Sequence, residues 1–263
     1  GGLQNFSYFE FCKKYFASDN ETLKLITPII SNSKIPHSSL ETFLPTYEDQ
    51  YDELLLSPSV TLGKMSSHTY INDPKRLAFS LSRYKFVSKM LSGQKNVLEI
   101  GCADAFGSSI IVEQVKDLTC CDIDRTFIND SILNHPFKNK IKFLVNDFVD
   151  SPLLKDFDAI YLLDVLEHIL PENENKFVKN IVDSLDKKGI CIFGIPSIES
   201  QDYASEISRK GHVNCKSGND FKQFLLNFFD NVFIFSMNDE VVHTGFYPMA
   251  HYLFGLCCLP RKD

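Results

Sequence analysis

Short apolar runs alternate with helix-like stretches from residue 95 to the end of the chain. We predict the apolar runs as strands, at residues 96–100, 118–122, 141–145, 159–163, 190–195, 231–236 and 250–258, and helices at 108–115, 126–133, 173–185 and 221–229. In the third helix apolar residues recur at helical spacing until Gly189 ends the pattern. Strands that alternate with helices are typical of an α/β fold with a doubly wound parallel sheet. The last two strands have no helix between them, which predicts a terminal hairpin with an antiparallel C-terminal strand.

The first 75 residues show a different pattern. Aromatic side chains, among them Phe6, Phe9 and Tyr15, crowd a predicted helix, and a loop-rich stretch with several prolines follows it. We therefore predict an N-terminal helical and loop appendage over residues 1–75, packed on or over a core of residues 76–263. Segments of this kind commonly form a lid or one wall of a substrate pocket.

Composition narrows the class of protein. The 263 residues include 27 basic and 34 acidic side chains, a formal net charge of −7, which argues against a nucleic-acid partner held by net charge. The eight cysteines form no Cys-x-x-Cys pair, so we expect them to be reduced core residues. No apolar stretch is long enough to span a bilayer. We expect a cytoplasmic protein with a small-molecule partner and no membrane contact.

A glycine-containing turn follows the first predicted strand. The turn contains Gly101 and Gly107 and begins shortly after Glu99. An acidic residue, Asp122, ends the next strand. Glycine lets a ligand approach the main chain closely, and an acid at the end of the second strand accepts both hydroxyls of a ribose. The pattern favours a nucleoside-type cofactor. NAD is the second choice, because Ala103 replaces the glycine that admits a pyrophosphate and Glu99 would repel it.

Four segments in order resemble the class I S-adenosylmethionine (SAM) dependent methyltransferases, a Rossmann-like family. They are residues 97–107 (VLEIGCADAFG), 121–124 (CDID), 146–148 (NDF) and 162–168 (LLDVLEH). The resemblance covers roughly residues 80 to 258 and implies a seven-stranded, mostly parallel sheet with SAM as cofactor. Ala103 and Ala105 depart from the family, since many members carry glycine at these positions. Both are small, so the expectation of cofactor binding stands.

The resemblance also implies a role for each motif residue. Glu99 and Gly101 would hold the methionine amino end, Asp122 the ribose hydroxyls and Asp147 the adenine amino group. The other implied cofactor residues are Ala103, Gly107, Ile123, Phe148 and Asp164, of which Ile123 and the Phe148 amide would bracket the adenine. Hydrogen bonds from such groups to a carboxylate are charge-assisted and about twice as strong as neutral ones. Asp124 competes for the ribose, but as a helix cap it fits the sequence better.

An acidic and histidine cluster follows the fourth predicted strand. Asp164, Glu167 and His168 fall on one face if the strand runs into a helical turn, and His212 lies in the loop after the fifth strand. In one interpretation His168 or His212, with Glu167 beside them, is a general base. In another, all four residues hold a divalent cation such as Mg or Mn, as a Glu-x-x-Glu-His plus His set does in some family members. A third interpretation is that Glu167 and His168 only fix the strand-helix junction.

The expected function is transfer of a methyl group from SAM to an oxygen of a small polar metabolite. A sugar, a nucleotide-linked molecule or a phosphorylated precursor of a bacterial surface polysaccharide is the acceptor class we expect. Three alternatives remain: N-methylation of a small molecule, metal-assisted O-methylation at an RNA terminus, and a non-enzymatic SAM-fold binding protein. The absence of a basic run argues against a nucleic-acid partner, and the oligomeric state is not predicted.

Overall fold

The computed structural model describes Ser57 and residues 59–262. The chain divides into two compact units, Gly1–Ser59 and Val60–Asp263. Most of the predicted appendage, including the aromatic helix near its start, lies outside the described residues. Residues 60–75, which the sequence assigned to the appendage, belong to the same compact unit as the core. No helix among the described residues is both long and apolar enough to cross a membrane.

Helices and strands alternate through this unit. The helices are α1 (Lys64–Asn72), α2 (Pro74–Met90), α3 (Ser108–Ile111), α4 (Arg125–Asn134), α5 (Glu174–Ser184), α6 (Glu206–Gly211) and α7 (Gly218–Leu225). The strands are β1 (Asn96–Ile100), β2 (Asp117–Asp122), β3 (Ile141–Val145), β4 (Phe157–Leu163), β5 (Leu185–Pro196), β6 (Phe229–Asn238), β7 (Val241–His243) and β8 (Tyr252–Pro260). Short 3-10 turns lie at Leu166–His168, Glu199–Tyr203 and Tyr247–Met249.

The strands form one sheet in the order β3-β2-β1-β4-β5-β8-β6-β7. Strands β1 to β5 pair in parallel, whereas β8 runs antiparallel between β5 and β6. The predicted α/β sheet with an antiparallel C-terminal strand is thus confirmed. Strand β7 is not among the seven predicted strands, and it forms an antiparallel hairpin with β6 at the edge of the sheet. A strand of three residues is too short to show an alternating pattern, so the sequence predicts a connecting loop there.

Two apolar layers cover the two faces of the sheet. Along β4, Ile160 and Leu162 face one layer and Tyr161 faces the other. Helix α5 buries its predicted apolar stripe in the first layer, and α2 packs Val87 and Leu91 into the second. Burying one such side chain contributes about 1.5 to 3 kcal/mol, which explains why strands with apolar residues on both faces form the centre of the fold.

Two helix ends differ from the predictions. The helix expected over residues 108–115 ends at Ile111. The helix expected over residues 173–185 ends at Ser184, because Leu185 leaves the helical path, becomes fully buried and pairs with Phe157 of β4. A tertiary strand pairing therefore overrides the local apolar period at this position.

The carboxyl ends of the parallel strands meet along one edge of the sheet. Ligands of open α/β sheets bind at this edge, where the strand order reverses. The reversal lies here between β1 and β4, which are neighbours although two strands separate them in sequence. The candidate residues of all four motifs follow β1, β2, β3 and β4 and so converge on the same edge.

Candidate functional site

The turn after β1 has a left-handed backbone at three positions. Gly101 has φ 75°, Ala103 φ 46° and Ala105 φ 55°. A Cβ atom on Gly101 would lie 2.3 Å from Cγ2 of Val165, so glycine is required there for close packing as well as for φ. At the two alanines the conformation costs about 1 to 3 kcal/mol each. Ala103 and Ala105, which stand where many family members carry glycine, thus keep the shape of the turn but are strained.

Asp122, at the end of β2, supports this turn. Its Oδ2 accepts a hydrogen bond from the Ala103 amide at 2.8 Å, and its Oδ1 accepts one from the Asp124 amide at 2.8 Å. Each carboxylate oxygen keeps a second lone pair for another donor. Asp124 itself caps α4 by accepting a bond from the Thr126 amide at 2.7 Å, which confirms the capping role. Contact of Asp122 with a ribose stays a prediction.

The other implied cofactor residues lie around the same edge. Ile123 is exposed and Phe148 is buried in the core, and the Phe148 carbonyl accepts a hydrogen bond from the side chain of Asn180 at 2.8 Å. Asp147 accepts a hydrogen bond from the Val149 amide at 2.7 Å. Gly107 makes room for α2, because a Cβ there would lie 2.2 Å from the ring of Tyr84. Their contacts with a cofactor stay predictions.

Glu99 lies in a closed hydrogen-bond network beneath the turn. It is 1% exposed. Tyr84 donates to its Oε1 at 2.7 Å, while Ser108, Tyr161 (2.8 Å) and Cys120 (3.3 Å) donate to its Oε2. Burial raises the pKa of the Glu99 carboxyl and these donors oppose the rise. The network ties α2, β2 and β4 to the turn, and the implied contact of Glu99 with the methionine amino group stays a prediction.

Helix α1, the first described helix, is hydrogen-bonded to the same turn. Asp104 is buried, and its carboxylate accepts the amide of Ser66 at 2.7 Å and the Ser66 hydroxyl at 3.0 Å. A Cβ on Gly63, the residue before α1, would lie 2.2 Å from Cβ of Asp104. Asp104 thus satisfies an amide in the first turn of α1 that has no partner within the helix. No local pattern in the sequence predicts this contact, which joins residues 38 positions apart.

Asp164 is strained and ion-paired. It has φ 57°, and its carboxylate oxygens lie 2.6 and 2.9 Å from Nη1 of Arg83. The Arg83 guanidinium stacks on the Tyr252 ring, 3.9 Å from its centroid, and its Nε is buried without a partner among the described residues. The carboxylate of Asp164 is therefore engaged by Arg83, and it is not part of the cluster of possible metal ligands described next.

Glu167, His168 and His212 come together beyond β4. One potential ligand atom from each lies within 4.8 Å of the other two. Glu167 is fully buried, and neither carboxylate oxygen has a hydrogen-bond partner in the described part of the chain. Burial, followed by the nearby Asp164 charge, raises the pKa of Glu167 well above its usual range. The main-chain carbonyl of Glu167 accepts the amides of Val213 and Asn214 at 2.8 and 3.0 Å, which places His212 beside it.

Hydrogen bonds fix which nitrogen each histidine presents. His168 Nδ1 lies 2.8 Å from the Gly211 carbonyl, and His212 Nδ1 lies 2.8 Å from Oε1 of Gln201. The Gln201 amide nitrogen donates to the Ser197 carbonyl at 3.1 Å, so its oxygen is the atom that faces His212. Both Nδ1 atoms must therefore donate, which leaves both Nε2 atoms with a lone pair. Burial and the neighbouring His168 lower the pKa of His212.

The chain resembles known proteins over its core. Residues 98–193 match the family model described as Methyltransferase domain. The ribosomal RNA small subunit methyltransferase A of Aster yellows witches'-broom phytoplasma (strain AYWB) is 39% identical over 77 residues, 29% of this chain and 28% of that protein. The carboxy-S-adenosyl-L-methionine synthase of Campylobacter curvus (strain 525.92) is 27% identical over 113 residues, 41% and 47% of the two chains. The matches thus span less than half the length of either relative.

Solved structures show the same fold. The N-methyltransferase NodS from Bradyrhizobium japonicum WM9, in complex with S-adenosyl-L-homocysteine, superposes with a TM-score of 0.56 at 18% identity. The superposition covers 73% of this chain and 91% of that one. At this identity the likeness establishes the fold alone.

Proposed function

We propose that this chain, whose core is a class I SAM-dependent methyltransferase domain of Rossmann-like fold, transfers the methyl group of SAM to an oxygen of a small polar metabolite. One observation carries the proposal. The strained turn and Asp122, at the ends of β1 and β2, lie on the same sheet edge as the cluster of Glu167, His168 and His212 that follows β4. A cofactor site and an acid-base site on one edge fit a transfer reaction.

The residues of the turn would bind and orient the cofactor. Asp122 would accept the ribose hydroxyls and Asp147 the adenine amino group, while the main chain around Gly101 would contact the methionine part. Methyl transfer needs the sulfonium methyl and the acceptor oxygen in line and shielded from water, and such alignment supplies up to about 7 to 11 kcal/mol. Bound SAM would supply the methyl group: its carbon to sulfur bond would break as the carbon to oxygen bond forms, and SAH would leave.

The proton of the acceptor hydroxyl would go to a histidine. His168 and His212 each have a lone pair on Nε2, and a neutral imidazole near neutral pH accepts a proton efficiently. The low pKa of His212 keeps it neutral. Glu167, close to both rings, would stabilise the imidazolium that forms. No covalent enzyme intermediate is required.

A divalent cation is the alternative for the same cluster, and the side chains fit one. The buried carboxylate of Glu167 has no partner among the described residues, and both imidazoles have Nε2 free while Nδ1 is anchored, as in metal-ligating histidines. Glu167, His168 and His212 would hold Mg or Mn. Such an ion would bind the acceptor oxygen and lower the pKa of its hydroxyl. Asp164 joins the set only if it leaves Arg83.

The acceptor that we propose is a small polar molecule. The formal net charge of −7 favours a small molecule over nucleic acid, and a sugar or phosphorylated precursor of a bacterial surface polysaccharide is the class we propose. N-methylation uses the same cofactor site and requires only an amine in place of the hydroxyl. Metal-assisted methylation of an RNA terminus would use the same cluster, and a binding protein without activity would retain only the cofactor site.

Two measurements test this function. Calorimetry with SAM and SAH should show binding, and a chain that binds neither at protein concentrations of about 0.1 mM contradicts the whole proposal. Incubation with SAM and a panel of hydroxylated and aminated metabolites should then release SAH, with Mn or a chelator added in parallel. Exchange of His168 and His212 for alanine, one at a time, should reduce turnover about 100-fold or more and leave SAH affinity unchanged. If both variants keep full turnover, the assigned role of the cluster is wrong.

A further inference from the structure

A buried histidine outside all four motifs contacts the cofactor turn. His135 directly follows α4 and is 6% exposed. Its Nε2 lies 2.9 Å from the carbonyl oxygen of Ala105. Its Nδ1 accepts a hydrogen bond from the Phe137 amide at 3.1 Å. Since Nδ1 accepts and Ala105 offers only an acceptor, the proton must sit on Nε2 and the ring is neutral.

The surroundings of the ring are mostly apolar. The ring of Phe143, on β3, meets it edge-on with centroids 5.6 Å apart, and the ring of Phe137 lies 6.1 Å away. Burial lowers the pKa of His135, opposed by the Ala105 carbonyl and by the charge of Asp104. Asp104 is the charged group that acts on it from the turn, and the packed neighbours from β3 and the α4 to β3 connection are apolar.

The turn that His135 contacts requires such a support. Ala103 and Ala105 both hold left-handed φ values that alanine avoids. The Ala103 amide donates to Asp122, and the Ala105 amide donates to the Cys102 carbonyl at 2.7 Å. The Ala105 carbonyl accepts two hydrogen bonds, one from the Ser108 amide at 3.1 Å within the turn and one from His135 at 2.9 Å, which is the only one of these bonds that comes from a side chain following α4. These bonds oppose the relaxation of the two alanines to negative φ.

We propose that His135 is a positioning residue for the cofactor: its neutral imidazole holds the strained turn in the shape that binds SAM, and its protonation releases the turn. This rests on the proposed SAM-binding function. The imidazole would have no contact with the cofactor itself. It acts through Ala105, whose position determines that of the neighbouring amides.

Acid should weaken the support for a geometric reason. On the imidazolium Nε2–H would still donate to Ala105, but Nδ1–H would face the Phe137 amide N–H. Two donors would then meet in a buried pocket, and their conflict would push the ring out of its place beside the turn. Because the folded-state pKa of His135 lies below the ordinary value of 6.5, the support is complete above pH 6.5 and is lost as pH falls through the folded pKa. SAH affinity should follow the same course.

The test is calorimetric titration of SAH into the full chain from about pH 8 down to about pH 5. The chain itself should bind SAH about tenfold more weakly at the acid end, the effect expected from losing one buried hydrogen bond. His135→Phe keeps a ring of similar size without hydrogen bonds, so it should bind about tenfold more weakly at pH 8, and its affinity should not change across the range. His135→Gln carries no titrating group and should likewise show no pH dependence.

Two further variants separate positioning from general stability. In the background of His135→Phe, Ala105→Gly should restore SAH affinity, because glycine adopts φ 55° without strain. His243→Phe is the matched control. His243 is bonded in the same way, with Nδ1 accepting the Gly245 amide at 2.9 Å and Nε2 on Asn238 at 2.7 Å, but it lies in β7 at the far end of the sheet. It should leave SAH affinity and its pH dependence unchanged.

The outcomes are distinct. Absence of SAH binding by the unmodified chain at every pH overturns the proposed function itself. Normal SAH binding that keeps its pH dependence in both His135 variants overturns the positioning role alone. The positioning role is equally wrong if Ala105→Gly fails to restore affinity while circular dichroism shows a folded His135→Phe protein, or if His243→Phe causes the same loss.

Discussion

The side-chain amide of Gln201 determines which nitrogen His212 turns toward Glu167. Its nitrogen is held by the Ser197 carbonyl, so its oxygen must accept from His212 Nδ1. Gln201→Leu removes this acceptor and lets the His212 ring change its tautomer or rotate. We predict that Mn binding, measured by calorimetry, weakens about 10- to 100-fold, as is usual when the partner of a ligating histidine is lost.

A control variant belongs to this prediction. Gln223→Leu changes an exposed glutamine on α7 and should bind Mn like the unmodified chain. Nitrogen NMR of the metal-free proteins gives an independent reading, since His212 should carry its proton on Nδ1 in the unmodified chain and not uniquely so in Gln201→Leu. Equal Mn affinity of all three proteins would show that Gln201 has no part in the site.

At the scale of single residues, the sequence predicted which residues lie in the site better than it predicted their hydrogen-bond partners. Asp122, Glu167, His168 and His212 were identified because each follows a strand and carries the right chemistry. Gln201 and His135 were not, because their roles depend on one hydrogen bond each to a residue 11 or 30 positions away. Glu99 was assigned to the cofactor, but its four donors come from four separate parts of the chain, which local spacing does not reveal.

Helix α1 depends on a cap that it does not carry itself. Its N-cap, Gly63, offers no side chain, and Asp104 of the cofactor turn accepts the Ser66 amide instead. Asp104→Ala should therefore free the helix from the turn. We expect the amides of residues 64–72 to exchange with deuterium about fivefold faster, since loss of such a cap costs about 1 kcal/mol. Hydrogen-exchange mass spectrometry measures this directly.

Asp124→Ala is the matched control for the cap. Asp124 accepts the Thr126 amide at 2.7 Å and caps α4 from its own N-terminus. Its loss should raise exchange in α4 and leave α1 unchanged. If exchange in α1 is the same with and without the Asp104 carboxylate, then α1 is held by packing and Asp104 does not anchor it.

Whole strands and helices were predictable where buried apolar residues recur along the chain. The strands of the parallel half, such as β1 and β3, begin and end where the apolar runs do. Prediction failed at the start of β5, where a long-range contact decides, because Leu185 pairs with Phe157. It also failed for α3, which ends at Ile111, four residues before the predicted helix does. The three residues of β7 pair only because β6 extends to Asn238.

At the scale of the whole molecule, the candidate site lowers the stability of the folded chain. Glu167 buries a carboxylate for which the described residues provide no partner, and an unpaired buried polar group costs about 1 to 3 kcal/mol. Removing its ionisable group should stabilise the protein as long as no cation is present. We predict that Glu167→Gln raises the melting temperature of the metal-free chain by about 2 to 4 °C for each kcal/mol gained.

The same substitution should abolish stabilisation by the cation. A ligand that binds the folded state at 100 times its dissociation constant adds about 2.7 kcal/mol, so Mn should raise the melting temperature of the unmodified chain and leave that of Glu167→Gln unchanged. Lys179→Gln, which alters a surface ion pair with Asp183 on α5, should retain the full shift with Mn. Scanning calorimetry with and without Mn decides between two roles. A variant that is less stable without metal shows that Glu167 fixes the strand-helix junction, whereas a gain in stability joined to a lost Mn shift shows that its carboxylate is kept for a ligand.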